Sequence, residues 1–193
     1  MSIRFRLGIA AVFFPALLAA QQSATPQPPA NPIVDTFRGF GFYGGWLLAA
    51  FDSIPASKYA YKPTPVQQSV GYIAQHLESA NYGLCEIIGG VKHLATAKDS
   101  LADTVKAQWP KDTLIARVRA SMVFCDGVMA RISDANLAEE LTVRLPGNPE
   151  RRAPRVRYVI LLVTDLAEHY SQVSSYMRLL GLIPPSARPR TGR

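Results

Sequence analysis

The stretch RVRYVILLVTDLAEHYSQVSSYMRLL, residues 155–180, decides the fold. Its apolar residues recur at alternating steps of three and four, which is the spacing of one face of an α-helix. They are Val156, Val159, Val163, Leu166, Tyr170, Val173, Met177 and Leu180. Gly181 ends this pattern, and Pro184-Pro185 prevents its continuation. The stretch therefore predicts a long amphipathic helix that buries one face against partner helices.

Three more segments upstream repeat this helical periodicity, and breaks marked by proline and glycine separate them. The first spans about residues 33–51, although its glycines weaken it. The second starts near Val66, and Gly89-Gly90 loosens its end. The third begins at Asp112, which we expect to cap it. Four such helices without a strand-rich region predict an all-α fold, a four-helix bundle.

The connections between these helices differ in length. Residues 99–110 have room for one helical turn. Residues 136–154 predict a long irregular crossing, with a turn at Pro146-Gly147-Asn148-Pro149. Because two connections are long, the periodicity alone leaves the order of up and down helices open.

The first 20 residues follow a different pattern. Arg4 and Arg6 precede an apolar run, residues 7–20, and a polar break follows it, which is the pattern of a signal peptide. The run is short for a membrane anchor, and Pro15 interrupts it. We therefore predict a signal peptide over residues 1–20, export to the periplasm or the medium, and no stable membrane insertion after its cleavage. A retained N-terminal anchor is the alternative.

The 193 residues suffice for one domain with a substantial core. Residues 21–32 are rich in Pro, Gln and Ala and predict a flexible spacer. The helical domain then spans residues 33–185. Residues 186–193 form a basic tail that we expect to be disordered.

The formal net charge of +7 raises the question of nucleic-acid binding. Much of this charge lies in four arginines within residues 151–157 and three arginines within residues 188–193. Neither group alternates with aromatic residues that could stack on bases, and an exported protein rarely meets a genome. Both groups predict solvated surface, with attraction to an anionic membrane surface as the alternative, and we expect no nucleic-acid partner.

The chain has two cysteines, Cys85 and Cys125. In an oxidising compartment such a pair predicts a disulfide. The bond would close a loop of about 40 residues and stabilise the fold by roughly 4 kcal/mol on the chain-entropy model. Two buried free thiols on facing helices are the alternative, and the wide spacing of the two cysteines excludes a CxxC redox motif.

The helix over residues 155–180 carries a polar stripe beside its apolar face, formed by Asp165, His169, Gln172 and Tyr176. Asp165 and His169 are one turn apart, so both side chains can reach a single metal ion. His76 on the second helix is the candidate third ligand. Three protein ligands leave a position for water, as in catalytic zinc sites. The same spacing also fits a surface carboxylate beside a half-buried histidine.

Several short segments resemble, in order and spacing, the DinB superfamily, which includes the YfiT-like proteins. They are WLLAAFDSIP (46–55), YAYKPTP (59–65), IAQH (73–76), NYGLC (81–85), HYSQ (169–172), YMR (176–178) and GLIPP (181–185). The resemblance covers about residues 37–185, and residues 169–185 are its most specific part. It implies a four-helix bundle with up-down-down-up connectivity.

The resemblance also implies a divalent metal site, which in this family is usually formed by three histidines. His76 and His169 match two of them, and Asp165 stands where the third histidine usually lies. A carboxylate still binds metal but is a harder ligand, so it changes the selectivity. It could equally mark a lineage that has lost the metal. The implied cofactor is zinc or nickel.

The predicted function is that of an exported metal-dependent enzyme, most simply a hydrolase that uses metal-activated water on an unknown small-molecule substrate. A thiol-dependent S-transferase, as among relatives, and a non-catalytic binding or assembly protein without the metal are the alternatives. Gln172, Tyr176 and Tyr72 are candidates for orienting the substrate, although each could simply pack in the bundle. Because related bundles often pair, a homodimer is also expected.

Overall fold

The computed structural model describes residues 30–144 and 149–189, and the predicted signal peptide lies outside these ranges. The described chain is mostly helical. Its α-helices are α1 (Pro32–Gly39), α2 (Phe42–Ser53), α3 (Val70–Gly89), α4 (Asp103–Lys106), α5 (Lys111–Met129) and α6 (Arg155–Leu179). Short 3-10 helices add single turns at Ala56–Lys58, Ala97–Ser100, Asp134–Asn136 and Pro185–Ala187. None of the described helices is long and apolar enough to cross a membrane.

The first predicted helix, residues 33–51, is in fact two helices, α1 and α2. The break lies at Phe40-Gly41, among the glycines that lower the helix propensity of this segment. The start of α1 is fixed from a distance, because the Asp134 carboxylate accepts hydrogen bonds from the backbone N–H groups of Ile33 (3.1 Å) and Val34 (2.8 Å). That capping contact is tertiary, so periodicity along the segment could not predict it.

The second predicted helix begins four residues later than expected. Val66 is almost fully exposed and precedes α3. The Ser69 hydroxyl accepts a hydrogen bond from the backbone N–H of Tyr72 at 3.1 Å, which is the geometry of an N-cap. At the other end Gly90 adopts the left-handed conformation, with φ of 63°, and ends α3 as expected.

The ends of the last two long helices follow the sequence pattern closely. Helix α6 ends at Leu179, and Gly181 follows it with φ of 74°. Helix α5 starts at Lys111, with Pro110 at the N-cap position. The prediction that Asp112 caps this helix was therefore wrong: Asp112 lies inside the first turn, where its charge favours the positive end of the helix dipole.

The crossing predicted over residues 136–154 contains a two-stranded antiparallel sheet, which the helical periodicity did not predict. Strand β1 (Glu140–Val143) pairs with β2 (Arg151–Pro154), with Glu140 opposite Pro154 and Val143 opposite Arg151. Leu141 and Val143 pack against the buried core and give the hairpin one apolar face.

Four helices enclose the core. Helix α3 packs against α5 and α6, and α2 packs against α6 and α5. One part of the core surrounds Phe51, Leu77 and Met177, and a second part lies near Val34 and Val159. Burial of these apolar side chains is the main driving force for the fold.

The predicted disulfide is present. Cys85 of α3 and Cys125 of α5 are bonded, with their Cα atoms 5.3 Å apart. The bond crosses the α3–α5 interface at the second part of the core. It therefore ties together two helices that are already extensively packed.

Two groups predicted to be free in solvent are held by the fold. The Arg155 guanidinium donates to the backbone carbonyls of Ile88 and Asn136 and pairs with Glu139, so it anchors the start of α6 rather than forming solvated surface. At the predicted disordered tail, the Tyr170 hydroxyl and the Ser186 hydroxyl are 2.7 Å apart. The first residues after 185 are thus attached to the bundle.

Candidate metal centre

The packing of α3 against α6 brings the three predicted ligands together. The Asp165 Oδ1 atom lies 3.7 Å from His76 Nε2 and 3.5 Å from His169 Nε2. One ligand atom from each residue lies within 4.8 Å of the other two. We call these three residues the His–Asp–His cluster. Its members converge because Asp165 and His169 are one turn apart on α6, and His76 faces them from α3.

Burial is uneven across the cluster. The side chain of His169 is 9% exposed and that of Asp165 is 22% exposed, whereas that of His76 is 36% exposed. The cluster is therefore most open to solvent on the His76 side. On the closed side, the Asp165 Oδ2 atom is buried and has no hydrogen-bond partner within the described ranges.

The histidines keep the buried carboxylate ionised. Burial acts to raise the pKa of Asp165, but hydrogen bonds and positive charge from His169 and His76 outweigh it, so that the pKa lies well below its ordinary value. Burial acts to lower the pKa of His169, but Asp165 outweighs it and raises this pKa above its ordinary value. At neutral pH the cluster thus holds a fixed negative charge among imidazoles.

A chain of hydrogen bonds fixes the orientation of the His169 ring. The Tyr176 hydroxyl donates to the backbone carbonyl of Gln68 at 3.1 Å and accepts from Gln172 Nε2 at 3.0 Å. The Gln172 Oε1 atom then faces His169 Nδ1 at 3.2 Å. An amide oxygen only accepts, so Nδ1 carries the proton and donates it. The other ring nitrogen, Nε2, points at Asp165, as in metal sites whose histidines are held by outer hydrogen bonds.

Gln172 and Tyr176 both belong to the hydrogen-bond chain that ends on His169, and their predicted contact with a substrate stays a prediction. Tyr176 is only 1% exposed, and its hydroxyl makes both the Gln68 and the Gln172 hydrogen bonds of this chain. The backbone carbonyl of Gln68 is the participant that sequence reasoning missed. It carries no side-chain pattern, so only the fold could reveal it.

Tyr72 does not join the cluster. It lines a cavity of about 940 Å³ together with Tyr59 and Trp109, beside the start of α5. Within the described residues, its hydroxyl makes no hydrogen bond to His76, Asp165 or His169. Tyr72 thus stays a candidate for contacting a substrate, without direct support from the geometry.

The charged residues next to the cluster in sequence point elsewhere. Glu78 is buried and binds Arg117 of α5, at 2.9 Å from Nε and 2.5 Å from Nη2. Glu168 is exposed on α6. The third histidine, His93, stacks on Tyr82 with ring centroids 4.0 Å apart and bonds Glu86. None of these residues belongs to the candidate site.

Comparison with known proteins identifies the family of this chain. A family model described as the DinB superfamily matches residues 46–173, more than half of the chain and a span that includes the whole His–Asp–His cluster. The chain belongs to the DinB superfamily. The resemblance found in the sequence is thereby confirmed.

Two solved structures share the DinB fold with this chain. A DinB-like protein from Bacillus cereus ATCC 10987 has a TM-score of 0.59 at 18% sequence identity, covering 78% of this chain and 95% of that chain. A DinB-like protein from Bacillus subtilis has a TM-score of 0.59 at 13% identity, covering 81% of this chain and 99% of that chain. No curated protein matches the sequence significantly. At such low identity these structural likenesses concern the DinB fold alone.

Proposed function

We propose that this DinB-superfamily protein binds one divalent metal ion through His76, Asp165 and His169 and uses it to hydrolyse a small-molecule substrate. The observation that carries the proposal is the convergence of three donor atoms at the partly buried Asp165 carboxylate, whose buried Oδ2 atom lacks a partner in the described chain. Removing an ionised carboxylate oxygen from water costs free energy unless a hydrogen-bond donor or a cation lies beside it.

The donor set fits zinc or nickel. Imidazole nitrogen and carboxylate oxygen are ordinary ligands of both ions, whereas magnesium and calcium prefer sites made of oxygen alone. Three protein ligands leave coordination positions open for water and substrate. The hydrogen bond from His169 Nδ1 to Gln172 keeps the Nε2 lone pair directed at the cluster.

A bound divalent metal at such a site supplies Lewis-acid chemistry, which polarises a substrate oxygen and activates water. Asp165 contributes the negative charge that favours the cation, and His169 supplies a rigidly held nitrogen. His76 is the most exposed member, so substrate is expected to approach from its side. We assign Gln172 and Tyr176 to positioning His169.

We also propose that the protein acts outside the cytoplasm. The disulfide between Cys85 and Cys125 supports this location, because such bonds persist in oxidising compartments. The N-terminal sequence pattern supports it independently. Since an oxidising compartment holds little reduced thiol, hydrolysis is favoured over thiol-dependent S-transfer. Mass spectrometry of the mature N-terminus from fractionated cells tests the proposal, which predicts a chain that starts after residue 20.

For the fold we propose the DinB-like four-helix bundle of α2, α3, α5 and α6, with up-down-down-up connectivity. Its support is the packing of α3 on both α5 and α6 and of α2 on the same two helices. A crystal structure in which α2 and α3 run parallel would contradict this connectivity.

A non-catalytic role is the second candidate, and one observation favours it. The pKa of His169 is raised by Asp165, so that a proton and a carboxylate can satisfy much of the cluster without an ion. In that case the cluster would be a structural ion pair between α3 and α6.

Metal content separates the two candidates. Purified protein is equilibrated with zinc or nickel, dialysed and measured by inductively coupled plasma mass spectrometry, beside His76→Ala and His169→Ala. His93→Ala is the matched control, because His93 is the remaining histidine and lies outside the cluster. The proposal predicts about one equivalent of metal in the wild type and the control, and loss in the other two variants. Equal trace metal in all four proteins would refute it.

Hydrolysis is tested on the metal-loaded wild type with a panel of ester, amide and phosphoester substrates. Turnover that appears on loading and disappears in His169→Ala supports the enzyme. A metal-loaded protein that turns over none of these substrates would favour the non-catalytic candidate instead.

A further inference from the structure

A second cavity, of about 560 Å³, lies among α1, α2, α5 and α6, and we call it the α2–α5 cavity. Its size is typical of pockets that hold small molecules. Most of its wall is apolar. The main apolar contributors are Phe37, Leu48, Met122, Val123, Leu162 and Leu166.

Glycines of α2 keep this space open. Gly44 and Gly45 both line the α2–α5 cavity. A Cβ atom on Gly44 would lie 3.2 Å from the Met122 sulfur, whereas a Cβ atom on Gly45 would meet nothing within 4 Å. Larger residues at these positions would fill the gap between α2 and α5. The glycines that weaken this helix thus create a cavity.

Asn81 of α3 supplies a buried polar group to the wall. The Ser121 hydroxyl donates its only proton to the backbone carbonyl of Val118 at 2.8 Å, so it can only accept from Asn81. Asn81 Nδ2 donates to it at 3.0 Å, which leaves Asn81 Oδ1 as the remaining acceptor of the amide. Asn81 is 1% exposed, and its Oδ1 has no hydrogen-bond partner in the described part of the chain.

The charges of the cavity do not favour an ionic ligand. Arg119 and Asp126 of α5 are exposed and line it with opposite charges. Burial raises the pKa of Asp126, which is consistent with apolar surroundings. Arg38 is committed to the backbone carbonyls of Met129 and Ile132.

The α2–α5 cavity is separate from the His–Asp–His cluster. Asn81 follows His76 by five residues on α3, which turns its side chain by about 140° around the helix axis. None of the three candidate metal ligands lines the cavity. Binding in the cavity therefore does not require the metal.

We propose that the α2–α5 cavity binds an uncharged, mainly apolar small molecule that donates a hydroxyl or N–H hydrogen bond to Asn81 Oδ1. The apolar wall provides the affinity, and the unpartnered acceptor provides the selectivity.

The probe is N-phenyl-1-naphthylamine, which is uncharged, carries one N–H group and fluoresces in apolar surroundings. We expect saturable binding with one site per chain, unchanged by a chelator and in His169→Ala. Competition then compares 1-naphthol with 1-methoxynaphthalene, which has the same rings but no donor. The naphthol should displace the probe at about tenfold lower concentration, since the ether leaves Asn81 Oδ1 unpaired.

Two variants make the test specific. Gly45→Leu should weaken probe binding at least tenfold by filling the cavity, and Gly83→Leu is its control. Gly83 is also a helical glycine with open space at its Cβ position, but it lies outside the cavity. Asn81→Leu should abolish the preference for 1-naphthol over 1-methoxynaphthalene. Non-saturable binding, equal binding by both glycine variants, or a preference that survives Asn81→Leu would overturn the proposal. Loss of binding on chelation would place the ligand at the metal centre instead.

Discussion

Two carboxylates lie at opposite sides of α3, Glu78 buried and Asp165 partly buried, and their surroundings differ. Glu78 faces α5, where Arg117 meets both of its oxygens. Asp165 faces α3 from α6, where two histidines approach a single oxygen at 3.5 and 3.7 Å and the other oxygen has no partner among the described residues. Fully bonded ion pairs are typical of structural interfaces, and incompletely bonded ones are typical of functional sites. The α3–α5 interface is therefore structural, and the α3–α6 interface is where we expect function.

The largest effect, on metal affinity, is expected for Asp165, the carboxylate whose Oδ2 atom has no partner among the described residues. Structural zinc sites gain roughly 10–16 kcal/mol from four ligands, so Asp165→Ala should weaken metal binding by about 2.5–4 kcal/mol, or roughly 60- to 700-fold. Competition with a chromophoric chelator measures the affinity. Asp165→His, which restores the ligand usual in the family, should retain tight binding. If both variants bound metal like the wild type, Asp165 would not be a ligand.

Substitution of Glu78, whose two oxygens both contact Arg117, should lower the stability of the fold without weakening metal binding. Glu78→Ala leaves Arg117 partly buried beside Asp99 alone, which should cost about 2–3 kcal/mol of unfolding free energy. Urea unfolding of the metal-free protein measures it, with exposed Glu168→Ala as the control. A larger loss of metal affinity than of stability in Glu78→Ala would contradict the distinction between the two interfaces.

Substitution of Gln172 tests how much its hydrogen bond to His169 Nδ1 contributes to metal affinity. Gln172→Leu removes the acceptor for His169 Nδ1 and frees the ring to turn, so metal affinity should fall about tenfold. Gln172→Glu keeps an acceptor and should restore most of it. Titration calorimetry compares the variants. An unchanged affinity in Gln172→Leu would mean that packing alone orients His169.

The smallest expected effect lies at the end of α3, away from the cluster. Burial acts to raise the pKa of Glu86, but hydrogen bonds from Lys92 and His93 outweigh it and the pKa is lowered. A lowered folded-state pKa contributes stability above the unfolded value of about 4.3 and loses it as the pH falls through the folded value. Glu86→Gln should therefore cost about 0.5–1 kcal/mol at pH 7 and almost nothing near pH 3. Urea unfolding of the wild type and Glu86→Gln at both pH values measures the difference in unfolding free energy. A difference that does not change with pH would refute the prediction.

The sequence predicted the long elements better than the short ones. Helix α6 was predicted to within one residue of its end because its apolar pattern runs without interruption. The start of α1 depends on the distant cap from Asp134, and the four-residue strands of the hairpin are too short to show a period. Local patterns could not resolve either feature.

The candidate site shows the same limit. Helical spacing and the family resemblance predicted His76, Asp165 and His169, and the structure brings them together. The stripe on α6 also included Gln172 and Tyr176, but their supporting role depends on the backbone carbonyl of Gln68. A carbonyl is common to every residue, so composition and spacing carry no information about it.

The disulfide has a consequence for the order of assembly. Cys85 and Cys125 both precede α6 in the chain, whereas Asp165 and His169 lie within it. On the proposed export route, α3 and α5 can be linked covalently before the last helix arrives. The proposed metal site is then complete only when α6 docks, as the final step of maturation. On the proposed route, the metals available outside the cytoplasm, rather than those inside it, determine which ion the protein carries.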